Sequence, residues 1–289
     1  MSIPMSATCA ACFLPKRMEM IRNHTDPHKA FLLTKELLRT FADAPADMDS
    51  ATLGGICDSM IQEQCGITGD LFAQEKMQSN RFVLERAEMI RQRIQAAPDP
   101  VYAGLQFATL GNYLDFAALY GKVSFDALDK MLLDAGKMEL SQACYRQFCC
   151  DLEAGRTLLY ITDNAGELVF DRLFAEVLAE KYPHLEITFL VRGENVANDA
   201  TRQDALDVQL PFPVLDNGTA IGGTSLDRIC SEAREAFDRA DVILAKGMGN
   251  TESLFGCGRN VYYAFLVKCQ HFADFFNAPL MKPLFIHDK

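Results

Sequence analysis

The sequence predicts an α/β protein: a helical N-terminal domain, residues 1–154, then a doubly wound, mostly parallel sheet with helices on both faces, residues 155–289. Three observations predict it. Up to about residue 154 apolar residues recur almost wholly at helical spacing, whereas beyond it short unbroken apolar runs alternate with helical stripes. The third is the stretch 158–167, LLYITDNAGE, where one period gives way to the other.

In that stretch Leu158, Leu159, Tyr160 and Ile161 lack polar alternation, as does a strand buried on both faces. Asp163 and Asn164 stop the run, Gly166 opens the next element, and Val169, Leu173 and Val177 form one helical stripe flanked by Phe170, Phe174 and Leu178. Strand, turn and helix make a βα unit. Ligands of open α/β sheets sit at the carboxyl ends of strands, so Asp163 and Asn164 are the first candidates for chemistry.

Within the helical half, 13–23, 29–41 (Leu32, Leu33, Leu37, Leu38) and 50–64 (Leu53, Cys57, Met60, Ile61) read as short bundle helices. The longest, 71–97, ends before Pro98. Joints at Asp99-Pro100, Gly121 and Gly136 then separate 101–120, 124–135 and 139–153. Glu85, Arg86, Glu88, Arg91 and Arg93 read as a solvated face. The segment Gly111-Asn112-Tyr113-Leu114-Asp115 interrupts the pattern: either Asn112 and Asp115 share one helix face, or the segment is a joint with Asp115 solvated or capping a neighbour.

In the second half, a strand at 186–191 ends at Arg192-Gly193, a weaker one lies at 213–215, and others at 241–245 and 262–267; 226–239 supplies a crossover helix. No linker rich in Gly, Pro or Ser divides the halves, so they are expected to pack closely with the site between them. There is no internal repeat or low-complexity tract.

Composition narrows the function classes. The net charge of −11 has no basic run to offset it, so no nucleic acid partner is expected. No apolar stretch reaches the ~18 residues of a membrane span, and the first residues, MSIPMSATCAACF, lack the regions of a signal peptide, so no membrane partner and a cytoplasmic location are expected. Ten cysteines without a secretory signal read as reduced thiols. Cys9-Ala10-Ala11-Cys12 is either a metal or redox pair or simply two packed thiols; the adjacent Cys149 and Cys150 do not supply a second C-x-x-C.

At the strand ends, NVANDAT (195–201) follows the second strand and KGMGNTE (246–252) the fourth. The carboxylates of Asp163 and Asp199 and the carboxamide of Asn164 are hard oxygen ligands suited to Mg²⁺ or Mn²⁺. Lys246 adds a cation beside a glycine-rich turn whose N–H groups can approach a phosphate oxygen. Each motif alone has an ordinary explanation as a turn or cap; their joint placement at one end of the sheet favours a site. Neither G-x-x-x-x-G-K-[ST] nor G-x-G-x-x-G is present at these turns.

Together DNAGELVFD (163–171), VRGENVANDAT (191–201), AKGMGNTESL (245–254) and GNYLDF (111–116) closely resemble the damage-control metal-dependent phosphatase family, also described as acidic-residue methyltransferase-like. The C-x-x-C start resembles its microbial branch. The resemblance implies a helical region followed by a Rossmann-like α/β domain, with a divalent metal between them held by Asp163, Asn164 and Asp199. It places the family's K-G-x-x-N-x-E turn on Lys246, Gly247, Asn250 and Glu252, for phosphate and site architecture, and makes Asn112 and Asp115 part of the site wall; Asn198 joins them on the substrate side. Members are described as hydrolysing phosphate esters of small metabolites, including sugar phosphates, with Mn²⁺, Co²⁺, Ni²⁺ or Mg²⁺. A carboxyl methyltransferase activity has been attributed to one branch.

The expected chemistry is therefore attack of a metal-activated water on a small phosphorylated metabolite, with Asp163 essential, and Lys246 and the N–H groups near Gly247 and Gly249 on the phosphate oxygens. Glu167 or Glu252 is expected to act as a base or to orient the water. A covalent route through Asp163 is disfavoured because Ala165 stands where aspartate-nucleophile phosphatases carry a second Asp. The alternatives are an S-adenosylmethionine-dependent methyltransferase, for which DNAGE offers only one glycine, and a non-catalytic metal- or metabolite-binding protein.

Overall fold

A computed structural model describes residues 2–119 and 122–288; the joint expected at Gly121, and Tyr120 at the end of the expected 101–120 helix, lie outside the described residues. Helices α1 (Ala7–His24), α2 (Pro27–Ala42) and α3 (Ser50–Cys65) come first. Local chemistry sets their ends: Asp26 accepts from the N–H groups of His28 and Lys29 with Pro27 in the first turn of α2, and α3 starts on Asp49 and stops at Gly66, whose φ of 66° suits a glycine. Phe13, Ile21, Leu33, Leu37, Leu53, Cys57 and Ile61 give these three helices a small core of their own.

The expected 71–97 helix is two helices, α4 (Ala73–Leu84) and α5 (Ala87–Gln95). Arg86 sits at the bend, where its guanidinium donates to Phe82 O and to both oxygens of Asp129. The charged run is accordingly only partly a solvated face: Arg91 pairs with Glu176 at 2.8 Å and Arg93 donates to Leu132 O and Leu133 O. Next come α6 (Pro100–Gly111), α7 (Phe125–Asp134) with a 3₁₀ turn after it, and α8 (Gln142–Ala154). The α6 helix is shorter than expected: Asn112 caps it and turns the chain into the loop that follows.

Six strands form one sheet: β1 (Thr157–Ile161), β2 (Glu186–Val191), β3 (Val214–Asp216), β4 (Val242–Lys246), β5 (Val261–Leu266) and β6 (Pro283–Asp288), in the order β3-β2-β1-β4-β5-β6. The first five are parallel and β6 runs antiparallel to β5. Between them lie α9 (Glu167–Lys181), α10 (Arg202–Asp207), α11 (Ser231–Arg239), α12 (Gly247–Leu254) and α13 (Gln270–Phe275). The sequence reading missed β6, α10 and α13, and took α12 for a turn. The three helices are short, and β6 is a partly exposed edge opening on a proline, without the apolar run of the central strands.

Alternate residues of each strand face opposite sides. Leu158, Tyr160, Leu244, Tyr262 and Ala264 join a large core with α4 to α9, whereas Leu159, Ile161, Ile243, Ala245, Tyr263 and Phe265 pack with α11, α12 and α13 on the other face. Most of the helical half is thus one covering layer of the sheet. Gly111 meets α9 so closely that a Cβ there would lie 2.8 Å from a ring carbon of Phe170. Among the described residues no helix is long and apolar enough to cross a membrane.

Candidate metal and phosphate site

The strand order reverses between β1 and β4, so the loops leaving their carboxyl ends part and open a crevice. The chain after β1 does not continue straight into α9. Its turn is stitched to the segment after β2 by Ala200 N to Asp163 O at 2.7 Å and Ala165 N to Asn198 O at 2.8 Å, with a bridge between Asn164 and Asp199. Gly166, at φ 76°, completes the turn, and its N–H donates to Asn80 Oδ1 of α4 at 2.6 Å. Any Cβ at Gly166 would lie 2.6 Å from Ser79 Cβ.

Above this turn is a cavity of about 760 Å³. Asp163, Asp199, Met248 and Gly249 line it, along with Asp115 and Phe116 of the loop after α6, Lys16, Arg17 and Met20 of α1, Asp58 and Gln62 of α3, and Glu252 of α12. The α1 and α3 wall was not anticipated, because nothing in a bundle helix marks the turn that reaches a distant strand end.

Asp163 Oδ2 accepts from Asn112 Nδ2 at 2.9 Å and from Asn164 Nδ2 at 2.7 Å. It lies against the backbone of Gly247, where a Cβ would come within 2.0 Å of that oxygen and where φ is 80°. Asp199 Oδ2 accepts from Arg192 Nε at 2.7 Å. Burial pushes the Asp163 carboxyl well above the ordinary carboxylate range, Asp199 and Glu167 push it further, and the charge of Lys268 opposes them. Burial also raises Asp199, against the pull of Arg192. Two carboxylates buried side by side, one of which raises the other's proton affinity, suit a divalent cation, which would relieve that repulsion. The donors also fit: Asn164 adds a carbonyl oxygen that accepts from Asn198 Nδ2 at 3.0 Å and keeps a second lone pair. Among the described residues no three His, Cys, Asp or Glu side chains converge on a metal, so a cation here would rest on two carboxylates and one amide, with waters completing its shell.

Of the residues singled out in the sequence, Asp115, Asp163, Asp199, Gly249 and Glu252 line the cavity. The others lie behind it. Asn112 joins Asp163, Glu167 and Leu266 N; Asn198 joins Leu114 O, Asn164 and the N–H groups of Phe116 and Ala117; Asn250 joins Arg192, Thr224 and the carbonyls of Thr162 and Lys246. These amides tie the strand-end loops to one another. Gly247 acts through its missing side chain, as above.

Lys246 requires a correction. The expectation was a phosphate-binding cation, but Nζ is fully buried and donates to Glu167 Oε1 at 2.6 Å, Ala108 O at 2.7 Å and Asp171 Oδ1 at 2.9 Å. Its three N–H bonds have three acceptors, leaving none for a ligand. Burial alone would lower its proton affinity; Asp171 and Glu167 outweigh that and hold it up. Glu167, as a base, fails for the same reason: its carboxylate is held by Lys246, Asn112 and Asn164, away from the cavity. Two cations missed in the sequence stand at strand ends instead, Arg192 after β2 and Lys268 after β5, and the rule that picked out Asp163 would have found both.

Cys9 and Cys12 lie on α1, one buried and one exposed, both free thiols. Cys12 Sγ donates to Cys9 O at 3.3 Å, and Cys9 Sγ accepts from Ser6 N at 3.4 Å.

Fold and crevice together define a doubly wound α/β protein with an acid-floored ligand site at the switch point of its sheet. The model of the damage-control phosphatase ARMT1-like domain matches residues 5–283, and the chain belongs to that family. An uncharacterized protein of Methanocaldococcus jannaschii is 28% identical over 286 residues, covering 94% of this chain and 92% of that protein. A damage-control phosphatase of Pyrococcus horikoshii is 28% identical over 204 residues, covering 69% of this chain and 68% of its own. The crystal structure of a DUF89 family protein from Pyrococcus horikoshii aligns over 99% of both chains with a TM-score of 0.85 at 22% identity, which establishes the shared fold.

Proposed function

We propose that this chain is a metal-dependent phosphatase that hydrolyses phosphate monoesters of small metabolites, damaged or surplus sugar phosphates among them. Family membership supports a phosphatase role in general terms. The observation that carries the finer reading is the buried carboxylate pair, Asp163 and Asp199, on the floor of a cavity of about 760 Å³, a volume suited to a small metabolite, with Asn164 bonded to Asp163 behind it.

In this reading Asp163, Asn164 and Asp199 hold a divalent ion, Mn²⁺, Co²⁺, Ni²⁺ or Mg²⁺, which when bound supplies an acidified water and neutralises phosphoryl charge. Arg192 keeps Asp199 in place, and Asn112 and the bare Gly247 backbone keep Asp163 in place. Of the two candidate bases, Glu252 is the one on the cavity wall. Burial raises its carboxyl to about 7, partly offset by the Ser50 hydroxyl at 2.5 Å, so it can take a proton near neutral pH. A covalent route lacks a partner acid, because position 165 is a buried alanine.

The test is phosphate release from an aryl phosphate and a sugar-phosphate panel after chelation, with each of the four metals restored singly, for wild type and Asp163→Ala. We expect metal-restored turnover in wild type and a loss of at least about 100-fold in the variant, as for removal of a group acting in the transition state. Full activity in Asp163→Ala would remove that residue from the metal site, and no release with any metal would end the phosphatase reading.

A further inference from the structure

We propose that Cys9 and Cys12 are a thiol–disulfide site that exchanges with small-molecule disulfides and, once oxidised, slows turnover in the crevice beside it. The disulfide stands on the two thiols themselves; its effect on turnover rests on the phosphatase reading. The pair falls near the start of α1, the helix whose later turns bring Lys16, Arg17 and Met20 to the cavity wall. Three residues apart along a helix, two Cα atoms stand about 5 Å from each other, within the reach of a disulfide. Most of the other cysteines pack in or against the apolar cores, as Cys57, Cys149 and Cys257 do. Cys9 and Cys12 belong to none of these cores, and their sulfurs meet polar groups instead. Cys9 Sγ accepts from Ser6 N at 3.4 Å, and Cys12 Sγ lies back over the preceding turn, donating to Cys9 O at 3.3 Å. Among the described residues no three His, Cys, Asp or Glu side chains converge on a metal, so the pair lacks the further ligands of a closed zinc site.

Cys12 is exposed and Cys9 buried, which divides the chemistry between them. The Cys12 thiolate attacks one sulfur of the small disulfide; the S–S bond breaks, and one small thiol leaves with the proton that Cys12 gave up. Cys9 sulfur then displaces the second small group from Cys12, and the Cys9 proton leaves with it. Two protein thiols are oxidised, and one small disulfide is reduced to two thiols. Cys269, at the start of α13, is the competing thiol. Burial pushes it up to about 11, with the charges of Glu252, Cys9 and Cys12 adding to the rise, so near neutral pH it stays protonated and does not attack. The new bond disturbs the start of α1. One helical turn holds Cβ atoms about 5–6 Å apart, whereas a disulfide needs about 3.8 Å. The first turn must therefore unwind, and Ser6, whose N–H and carbonyl both bond to Cys9, is displaced. Just upstream, Met5 N donates to Met48 O at 3.2 Å and Ile3 N to Glu252 O at 2.8 Å. Oxidation thus pulls on the segment that ties the start of the chain to Glu252 on the cavity wall.

Full-length protein is equilibrated in buffers running from reduced to oxidised glutathione, quenched in acid, alkylated and read by peptide mass. A Cys9–Cys12 disulfide is expected to replace the two alkylated thiols as the buffer becomes oxidising, and to vanish on adding dithiothreitol. Cys9→Ser is expected to stop at one glutathione on Cys12. Two free thiols in the most oxidising buffer overturn the proposal, as does a Cys12–Cys269 bond. By hydrogen exchange the Ile3 and Met5 amides should exchange at least tenfold faster in the oxidised form; equal rates overturn the link to Glu252. Wild type alone decides both readings. With glutathione removed and metal restored, oxidised protein should release phosphate at least threefold more slowly than reduced protein, and Cys12→Ser should show no such difference. Equal turnover of the two wild-type forms overturns the control of the crevice. No release from either form defeats the phosphatase reading alone, because the disulfide and the exchange rates are measured without turnover.

Discussion

Lys246 is a fully buried lysine at a strand end, and its surroundings give it structural work. Removing the charge of Lys246 leaves Glu167 and Asp171 facing each other in a site that water does not reach. Lys246→Met should therefore lower stability by about 3–5 kcal/mol, read as a shift in the urea midpoint; a change below about 1 kcal/mol would show that the cluster is not held by this charge. Glu252 makes a prediction in pH. Burial raises its carboxyl from 4.5 to about 7, with Asp49 adding to the rise and the Ser50 hydroxyl and the N–H of Ala51 opposing it. The folded protein thus holds this proton more tightly than the unfolded chain. The stability it contributes is complete below about pH 4.5 and is lost as pH rises through about 7. In chelated protein, wild type should lose stability relative to Glu252→Gln across that window; parallel curves would refute the assignment.

At the scale of the element, α12 shows how a site is made by what is missing. The sequence KGMGNTE reads as a glycine-rich turn, but it is the end of β4 running straight into a helix, and Gly247 is where the helix starts. Its φ of 80° is strained for other residues, and its hydrogen faces Asp163 where a methyl group would sit 2.0 Å from Oδ2. Gly247→Ala should cost about 1–3 kcal/mol of stability and weaken Mn²⁺ binding at least tenfold, since Asp163 must move. Unchanged metal affinity in a folded variant would free Asp163 of this contact. The α6 helix shows the opposite limit. Its apolar pattern continues past Gly111, so periodicity alone extended it, whereas Asn112 is drawn out of the helical run by Asp163, Glu167 and Leu266 N, partners 51 to 154 residues away.

For the whole molecule, the crevice lies between the sheet and helices that arise early in the chain, so a bound metal should act on global stability. If Asp163, Asn164 and Asp199 are its ligands, Mn²⁺ at 100 times its dissociation constant should stabilise the native state by about 2.7 kcal/mol. Asp199→Asn should abolish most of that gain, and a thermal midpoint indifferent to Mn²⁺ in wild type would count against the site. Much of this architecture was legible in the sequence. Mostly apolar runs at Leu158 and Ile187 marked central parallel strands because both faces are covered, and Asp163, Asp199 and Glu252 could be placed at the crevice because strand-end position and residue type are local facts. What the sequence determined by itself was the α/β class, the order of most elements and the family, since each rests on periodicity and on short contiguous motifs. Only the tertiary structure decided which polar side chains face the cavity and which brace it from behind. Lys246 was drawn into the core by Glu167 and Asp171, α1 and α3 became walls, and Lys268 paired with Asp115. A side chain's role depends on the partners that saturate it, and those partners come together only when distant segments pack.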